Sequence, residues 1–326
     1  MAAIFGRGGN GTGRTAARPA GKRRGGRTAG LGAAAIGGAL ALTAAAVSPA
    51  AAHGGPHHPA PQHGRPAVHY VALGDSYTSG PGIPTQVDAN CTRSDHNYPS
   101  LVAAAGRFAR FTDVSCGGAT TAQIWQAQGT NGPQLSAVTR DTTLVTLQIG
   151  GNDIGFGSII ATCAGLSVQD PAGDPCKEHY APRGSLDQLT VNIVQAAPKV
   201  AQVLRAVHRQ APKARVVVVG YPDLLPDRGP GCFPAVPFAA GDVPYLRSTE
   251  KNLNTMLRVE ALLGGAEYVD TYGPTVGRDM CQAPGVRWIE PLVPAAPAAP
   301  AHPNASGEQA MATAVAARVL GPGKRR

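Results

Sequence analysis

The sequence predicts an α/β fold, a three-layer α/β/α sandwich with a mostly parallel central sheet. One pattern in the sequence leads to this prediction. Short apolar runs, each typical of a buried strand, alternate along the chain with longer segments of helical periodicity. Parallel strands need long crossover connections, which the helical segments between the runs can provide. The alternation therefore indicates one sheet covered by helices on both sides.

Four apolar runs predict the strands of this sheet. They cover residues 69–73, 144–149, 215–220 and 266–270. The third run contains four consecutive valines, a pattern that suits a strand buried on both of its faces. We therefore expect the third run to lie inside the sheet.

Three segments predict helices. Residues 185–210 should form an amphipathic helix that Pro198 kinks or breaks, residues 245–263 a second helix that ends at Gly264, and residues 306–320 a third. The third segment opens with capping-box spacing, Ser306 followed by Gln309. The first segment carries an apolar stripe, mostly at three- and four-residue spacing, formed by Leu186, Leu189, Ile193, Val194, Val200, Val203, Leu204 and Val207.

Polar motifs follow two of the predicted strands, and a third motif precedes the last helix. Ser76 lies in Gly-Asp-Ser-Tyr after the first strand, Asn152 in Gly-Gly-Asn-Asp after the second, and His302 in His-Pro-Asn. Ligands of open α/β sheets bind beyond the carboxyl ends of the strands. We therefore expect Ser76 and Asn152 to lie at the same edge of the sheet.

These residue types fit nucleophilic catalysis. A serine hydroxyl is a weak nucleophile at neutral pH and needs a base, which His302 can supply while it also protonates the leaving group. The Asn152 side chain and the backbone amides of a Gly-rich turn can stabilise the developing oxyanion. Gly118, in Gly-Gly-Ala-Thr, is a candidate for a further donor.

The four motifs resemble those of the GDSL esterases and lipases of the SGNH hydrolase superfamily, especially its secreted actinobacterial members. The resemblance runs from about residue 68 to residue 320. It implies a flavodoxin-like sheet order and a catalytic pair formed by Ser76 and His302. It also implies an oxyanion hole formed by the amides of Ser76 and Gly118 with the Asn152 side chain. An ordinary α/β-hydrolase would show a G-x-S-x-G turn, and the sequence has none.

The sequence departs from the family pattern just before His302. Many members of the family have an aspartate three residues before the histidine, where this chain has Ala299. The resemblance then implies that a backbone carbonyl, of Ala299 or Pro300, orients the imidazole. A carboxylate from Glu290 or from an aspartate elsewhere is the alternative.

The resemblance implies a secreted serine esterase or lipase that hydrolyses carboxylic, lipid acyl esters through an acyl-enzyme on Ser76. Alternatives with the same fold are a phospholipase A1 and a carbohydrate deacetylase, and a catalytically silent binding module is a further alternative. We expect no cofactor and no metal, because Walker A and H-E-x-x-H strings are absent. The expected partner is an ester substrate, in solution or at a lipid–water interface, and the expected state is a monomer.

The first 52 residues have the composition of a secretory signal peptide. They hold seven basic residues and no acidic one, and an apolar stretch is followed by small residues at 50–52. We expect a disordered leader over residues 53–67, rich in His, Pro and Gly, then a single hydrolase domain over residues 68–321 and a basic tail over 322–326. Without residues 1–52, 22 basic residues remain against 20 acidic ones, so the charge does not favour nucleic-acid binding.

All six cysteines lie after residue 52, and an even number in an exported chain predicts disulfide bonds. Spacing alone leaves 15 possible pairings open. The resemblance favours Cys91 with Cys116, Cys163 with Cys176, and Cys232 with Cys281.

Overall fold

The central sheet of the computed structural model is parallel, as the alternation of apolar runs and helical segments predicts. The structure describes residues 67–321; the predicted signal peptide, basic tail and all but the last residue of the predicted leader lie outside this range. Its strands are β1 (His69–Gly74), β2 (Gln86–Asp88), β3 (Arg93–Ser94), β4 (Arg110–Asp113), β5 (Leu144–Gln148), β6 (Arg215–Val219) and β7 (Glu267–Val269). Its helices are α1 (Ser76–Ser79), α2 (Tyr98–Gly106), α3 (Phe156–Ser167), α4 (Pro175–Tyr180), α5 (Gln188–Gln210), α6 (Asp242–Leu263), α7 (Tyr272–Thr275) and α8 (Ala305–Val319).

Five of the described strands form the main sheet in the order β4-β1-β5-β6-β7. Every neighbouring pair is parallel, with Val71 opposite Val145 and Val145 opposite Val216. This is the flavodoxin-like order, in which the direction of winding reverses between two neighbouring strands, here β1 and β5. The predicted fold class is therefore confirmed. Ligand sites of such sheets lie at that reversal, here beyond the ends of β1 and β5.

The strands bury alternate residues against two different helix layers. Val71, Leu73 and Val145 belong to a hydrophobic cluster that also contains α5 and α6, whereas Tyr70 and Ala72 pack in a second cluster with α2 and α8. Side chains alternate between the faces of a strand, so both faces of the sheet are covered. This burial explains why the strands are continuous apolar runs.

Helix α5 differs in two respects from its prediction. It continues through Pro198 without a break, and two members of the predicted stripe are exposed, Leu186 before the helix and Val194 within it. Pro198 lies on the exposed side of the helix, where water can satisfy the carbonyl that loses its amide partner. The buried neighbours Ala196 and Val200 hold the helix against the core on either side of the proline.

Helix α8 begins one residue earlier than predicted. Its N-cap is Asn304, whose side chain accepts hydrogen bonds from the amides of Ser306 and Gly307. The capping box predicted at Ser306 is therefore wrong. The sequence also did not predict β4, which has a single apolar residue, Phe111, or α3, which begins three residues after the Asn152 motif ends.

The described cysteines form three disulfide bonds: Cys91 with Cys116, Cys163 with Cys176, and Cys232 with Cys281. These are the pairs that the resemblance favours. Within residues 67–321, no helix combines the length and the apolar character needed to cross a membrane.

Candidate active site

The turn after β1 presents Ser76 as the first residue of the short helix α1. The Asp75 side chain caps this helix by accepting a hydrogen bond from the Tyr77 amide at 3.0 Å. Gly74 permits the tight turn, because a Cβ at this position would lie 2.8 Å from the carbonyl oxygen of Gln148 and collide with Thr78. The local sequence thus places the Ser76 hydroxyl at the carboxyl edge of the sheet.

His302 lies beside this turn although it is separated from Ser76 by more than two hundred residues. Its Nε2 is 2.7 Å from Ser76 Oγ, and its Nδ1 is 2.8 Å from the carbonyl oxygen of Pro300. The Tyr77 ring packs against the imidazole with a centroid distance of 4.8 Å, and the Tyr77 hydroxyl donates to the carbonyl of Ala301 at 2.6 Å. The turn that carries Ser76 and the loop that carries His302 are therefore directly joined.

The contacts of the imidazole define its tautomer. A carbonyl oxygen only accepts, so Nδ1 carries the proton that it donates to Pro300, and the lone pair of Nε2 faces Ser76. Burial lowers the pKa of His302 below its usual range, and the hydrogen bond to Pro300 offsets part of this effect. The ring is therefore neutral at neutral pH and able to accept a proton from Ser76.

Glu290 does not contact His302 but holds the loop that carries it. The Glu290 carboxylate accepts hydrogen bonds from the amides of Ala295 and Ala296 and from the Asn304 side chain, and it forms an ion pair with Arg287. Burial opposes ionisation of Glu290, but these hydrogen bonds outweigh it and lower its pKa. Of the partners that the sequence left open for His302, the contact is made by Pro300.

The candidate oxyanion donors come from three different segments. Asn152 Nδ2 donates to the carbonyl of Ala119 at 2.9 Å, which ties the Gly-Gly-Asn-Asp turn to the loop that contains Gly118. Gly118 is exposed and has a φ of 75°. Among the described residues, the backbone amides of Ser76 and Gly118 have no hydrogen-bond acceptor. These amides, with the second N–H of Asn152, are free to bind a substrate oxygen.

Tyr221 connects the turn that carries Ser76 to the turn that carries Asn152, a role that the sequence did not predict. Its hydroxyl donates to Asp75 at 2.5 Å and accepts a hydrogen bond from the Gly151 amide at 2.8 Å. Its ring also packs edge-on against Tyr77, with centroids 5.2 Å apart. The available signal was its position, since Tyr221 follows β6 by two residues and so lies at the same edge of the sheet.

Asp75 is a buried carboxyl within this network. Burial raises its pKa to about 7, and the hydrogen bonds from Tyr221 and from the Tyr77 amide limit the rise. Both carboxyl oxygens are occupied by these bonds, one by the Tyr77 amide and the other by the Tyr221 hydroxyl. Asp75 therefore shapes the turn and does not contact His302.

An apolar pocket opens beside Ser76 and Asn152. Side chains of α3, of α6 and of the loops after β5, β6 and α7 line it, including Ile154, Ile159, Leu225, Leu246, Leu253 and Met280. A pocket with this lining fits a hydrocarbon chain whose reactive end lies at Ser76.

The described residues contain no cluster of three or more His, Cys, Asp or Glu side chains arranged to hold a metal ion.

Comparisons with known proteins identify the family. The sequence model of the GDSL-like Lipase/Acylhydrolase family matches residues 72–310. Lipase 2 of Streptomyces coelicolor is 44% identical over 253 residues, which cover 76% of this chain and 84% of that protein. A lipase of Streptomyces rimosus is 31% identical over 244 residues, which cover 74% and 83% of the two chains.

Solved structures agree with this assignment. The extracellular lipase of Streptomyces rimosus has a TM-score of 0.63 and 29% identity, and the match covers 76% of this chain and all of that one. Phospholipase A1 of Streptomyces albidoflavus has a TM-score of 0.59 and 27% identity, with 77% and 98% of the two chains covered. The chain belongs to the GDSL-like lipase/acylhydrolase family of SGNH hydrolases and is a carboxylic ester hydrolase.

Proposed function

We propose that this enzyme is a secreted lipase or esterase in which Ser76 is the nucleophile and His302 the general base and acid. The contact of His302 Nε2 with Ser76 Oγ at 2.7 Å is the observation that carries the proposal. The carbonyl of Pro300 holds the imidazole in the required tautomer. A carbonyl does this without a negative charge, so it stabilises the imidazolium less than a carboxylate would.

In the first half of the reaction, Ser76 Oγ attacks the ester carbonyl while its proton passes to His302 Nε2. The amides of Ser76 and Gly118 and the Asn152 side chain bind the oxyanion of the tetrahedral intermediate, and each donor of this kind contributes about 3 to 4 kcal/mol. His302 then gives the proton to the leaving alcohol as the carbon–oxygen bond breaks. In the second half, a water molecule attacks the carbonyl carbon of the acyl-enzyme while one of its protons passes to His302 Nε2. His302 then returns a proton to Ser76 Oγ as the bond between Ser76 and the acyl group breaks, and the carboxylic acid is released.

The substrate class follows from the pocket and from the relatives. An apolar pocket beside Ser76 favours esters with a hydrocarbon acyl chain over those with a short acetyl group. Phospholipids are the second candidate class, because the solved structure of a phospholipase A1 from Streptomyces albidoflavus is similar to this chain. Incubation with phosphatidylcholine liposomes and analysis of the lysophospholipid position separates this activity from triglyceride hydrolysis.

Export of the enzyme is supported by the disulfide bonds and by the extracellular lipase among the similar structures. Disulfides form and persist in oxidising compartments. The proposal includes a signal peptide over residues 1–52, a leader over residues 53–67 and one catalytic domain over residues 68–321. N-terminal sequencing of the protein recovered from culture medium tests the proposed cleavage near residue 52.

A p-nitrophenyl ester series from acetate to palmitate tests the catalytic assignment. We expect Ser76→Ala and His302→Ala each to lower kcat by at least about a thousandfold. Ser79→Ala is a matched control, because Ser79 is buried in the same short helix and its hydroxyl has no hydrogen-bond partner among the described residues. This control should retain its activity and should still react with a fluorophosphonate probe.

The assignment is wrong if Ser76→Ala keeps its activity or is still labelled by the probe. A folded wild-type protein that hydrolyses no ester and takes up no label would instead favour the silent binding module.

A further inference from the structure

Helix α6 forms one side of the apolar pocket beside Ser76, which we call the acyl pocket. A carboxyl group lies in the apolar face of this helix. Leu246, Glu250 and Leu253 are four and three residues apart, a spacing that places them on one face of a helix. All three line the pocket. Glu250 therefore occupies a position at which the pattern of the helix calls for an apolar residue.

The Glu250 carboxyl is buried and only half satisfied. The residue is 7% exposed, and its Oε2 accepts one long hydrogen bond from the Leu224 amide, at 3.3 Å. Its Oε1 has no partner among the residues that the structure describes. An unsatisfied buried polar group destabilises a fold, so its presence in a substrate pocket calls for an explanation.

The surroundings of Glu250 favour the neutral acid. Burial raises the pKa of Glu250 well above its usual range, and the neighbouring carboxyl of Asp223 raises it further. A neutral carboxyl has both an O–H donor and a carbonyl acceptor, and it suits an apolar pocket better than a carboxylate does. Asp223 thus helps to keep Glu250 able to donate a hydrogen bond.

Other polar groups at the pocket are already engaged by the protein. Asp75 and Tyr221 are bonded to one another, and Thr249 donates its hydroxyl to the carbonyl of Tyr245 at 3.1 Å. Beyond the catalytic residues at the mouth, Glu250 is the described side chain of the pocket with a buried polar atom that has no hydrogen-bond partner.

We propose that the acyl pocket binds acyl chains that carry a hydroxyl group partway along the chain, and that Glu250 recognises this hydroxyl by hydrogen bonding. The inference rests on the proposed function and narrows it to a class of substrates. The hydroxyl meets Glu250 while the unsubstituted methylenes lie against Leu246, Leu253 and the other apolar side chains. An unsubstituted chain leaves Oε1 of Glu250 without a partner.

A set of matched p-nitrophenyl esters tests this inference. The acyl chains have equal length, one without a substituent and the others with a single hydroxyl moved stepwise along the chain. We expect the wild-type enzyme to show a higher kcat/KM for at least one hydroxylated ester than for the unsubstituted one, by about tenfold. Glu250→Leu should abolish this preference, measured as the ratio of kcat/KM for the hydroxylated ester to kcat/KM for the unsubstituted one.

Two further variants make the result specific. Glu250→Gln keeps a donor and an acceptor at this position and should retain part of the preference. Glu260→Gln changes a glutamate of the same helix that does not line the pocket, and it should behave as the wild type does. Circular dichroism and the unfolding temperature establish that each variant is folded.

Failure of this inference differs from failure of the proposed function. Hydrolysis of the unsubstituted ester that disappears in Ser76→Ala supports the proposed function by itself. If this activity is present, two results overturn the role of Glu250. One is a wild-type enzyme that prefers no hydroxylated ester, and the other is a preference that persists in Glu250→Leu.

Discussion

Replacement of Asp223 by asparagine should stabilise the enzyme more at high pH than at low pH. Asp223 is fully buried, and neither of its carboxyl oxygens has a hydrogen-bond partner among the described residues. Burial raises its pKa to about 7, and the charges of Asp279 and Asp227 contribute to the rise. The Tyr272 side chain and the Gly277 backbone offset part of this rise in pKa.

The sign and the size of the effect follow from the difference between the pKa of Asp223 in the folded chain and its pKa in the unfolded chain. The ordinary pKa is 3.8, so between about pH 4 and pH 7 the unfolded chain ionises at Asp223 while the folded chain keeps the proton. Stability from this group is complete below about pH 4 and is lost as the pH rises towards 7, at about 1.4 kcal/mol per pH unit. Between pH 5 and pH 8 the loss amounts to roughly 2 to 3 kcal/mol.

Urea unfolding of wild type and Asp223→Asn at pH 5 and pH 8, with disulfides intact, measures this difference. We expect the free energy of unfolding of the variant, relative to wild type, to rise by about 2 to 3 kcal/mol between the two pH values. Asp170→Asn, which changes an exposed aspartate, is the control and should show no such trend. If the difference between Asp223→Asn and wild type is the same at both pH values, the argument from burial is refuted.

Three other predictions concern the catalytic network and the cross-links. Tyr221→Phe leaves one carboxyl oxygen of Asp75 and the Gly151 amide without a partner, so kcat should fall roughly tenfold to a hundredfold with a smaller change in KM, whereas Tyr245→Phe should not affect kcat in this way. Because burial lowers the pKa of His302, the acidic limb of the kcat/KM profile should have its midpoint below 6.5; a midpoint above that value contradicts the assignment. Reduction under mild denaturant should lower the unfolding temperature and the activity together, since removal of one disulfide typically costs about 2 to 5 kcal/mol; unchanged values with free thiols would show that the bonds are dispensable.

The residues of the candidate site that the sequence predicted are those whose chemistry is visible in short motifs. Ser76 and Asn152 each follow an apolar run, and parallel strands bring such positions to one edge of the sheet. His302 precedes a predicted helix, and the Asn304 that follows it is the N-cap of α8. These features depend on local sequence and on strand direction, and both can be predicted from the amino-acid sequence.

Tyr221 and Glu250 could not be predicted in this way because their roles depend on contacts between distant segments. A tyrosine after a strand is unremarkable until its hydroxyl is found between Asp75 and Gly151. A glutamate in an amphipathic helix is ordinarily expected to face water, and only the packed structure shows that Glu250 faces a pocket. The same limit explains Pro198, where packing on both sides keeps a helix that the local rule would break.

The position of Glu290 suggests how the enzyme functions without an aspartate beside His302. Its carboxylate binds Ala295, Ala296 and Asn304 and so closes the loop between residues 290 and 304. The Glu290 amide and carbonyl also pair with the backbone of His302 and Ala301, at 2.9 and 3.0 Å.

A loop held at these points fixes the Pro300 carbonyl, and this carbonyl in turn orients the imidazole. The negative charge of the Glu290 carboxylate therefore does not contact His302. It holds the loop in place but contributes little direct stabilisation of the imidazolium. In the proposed mechanism, transition-state stabilisation then comes chiefly from the proposed oxyanion donors, the amides of Ser76 and Gly118 and the side chain of Asn152.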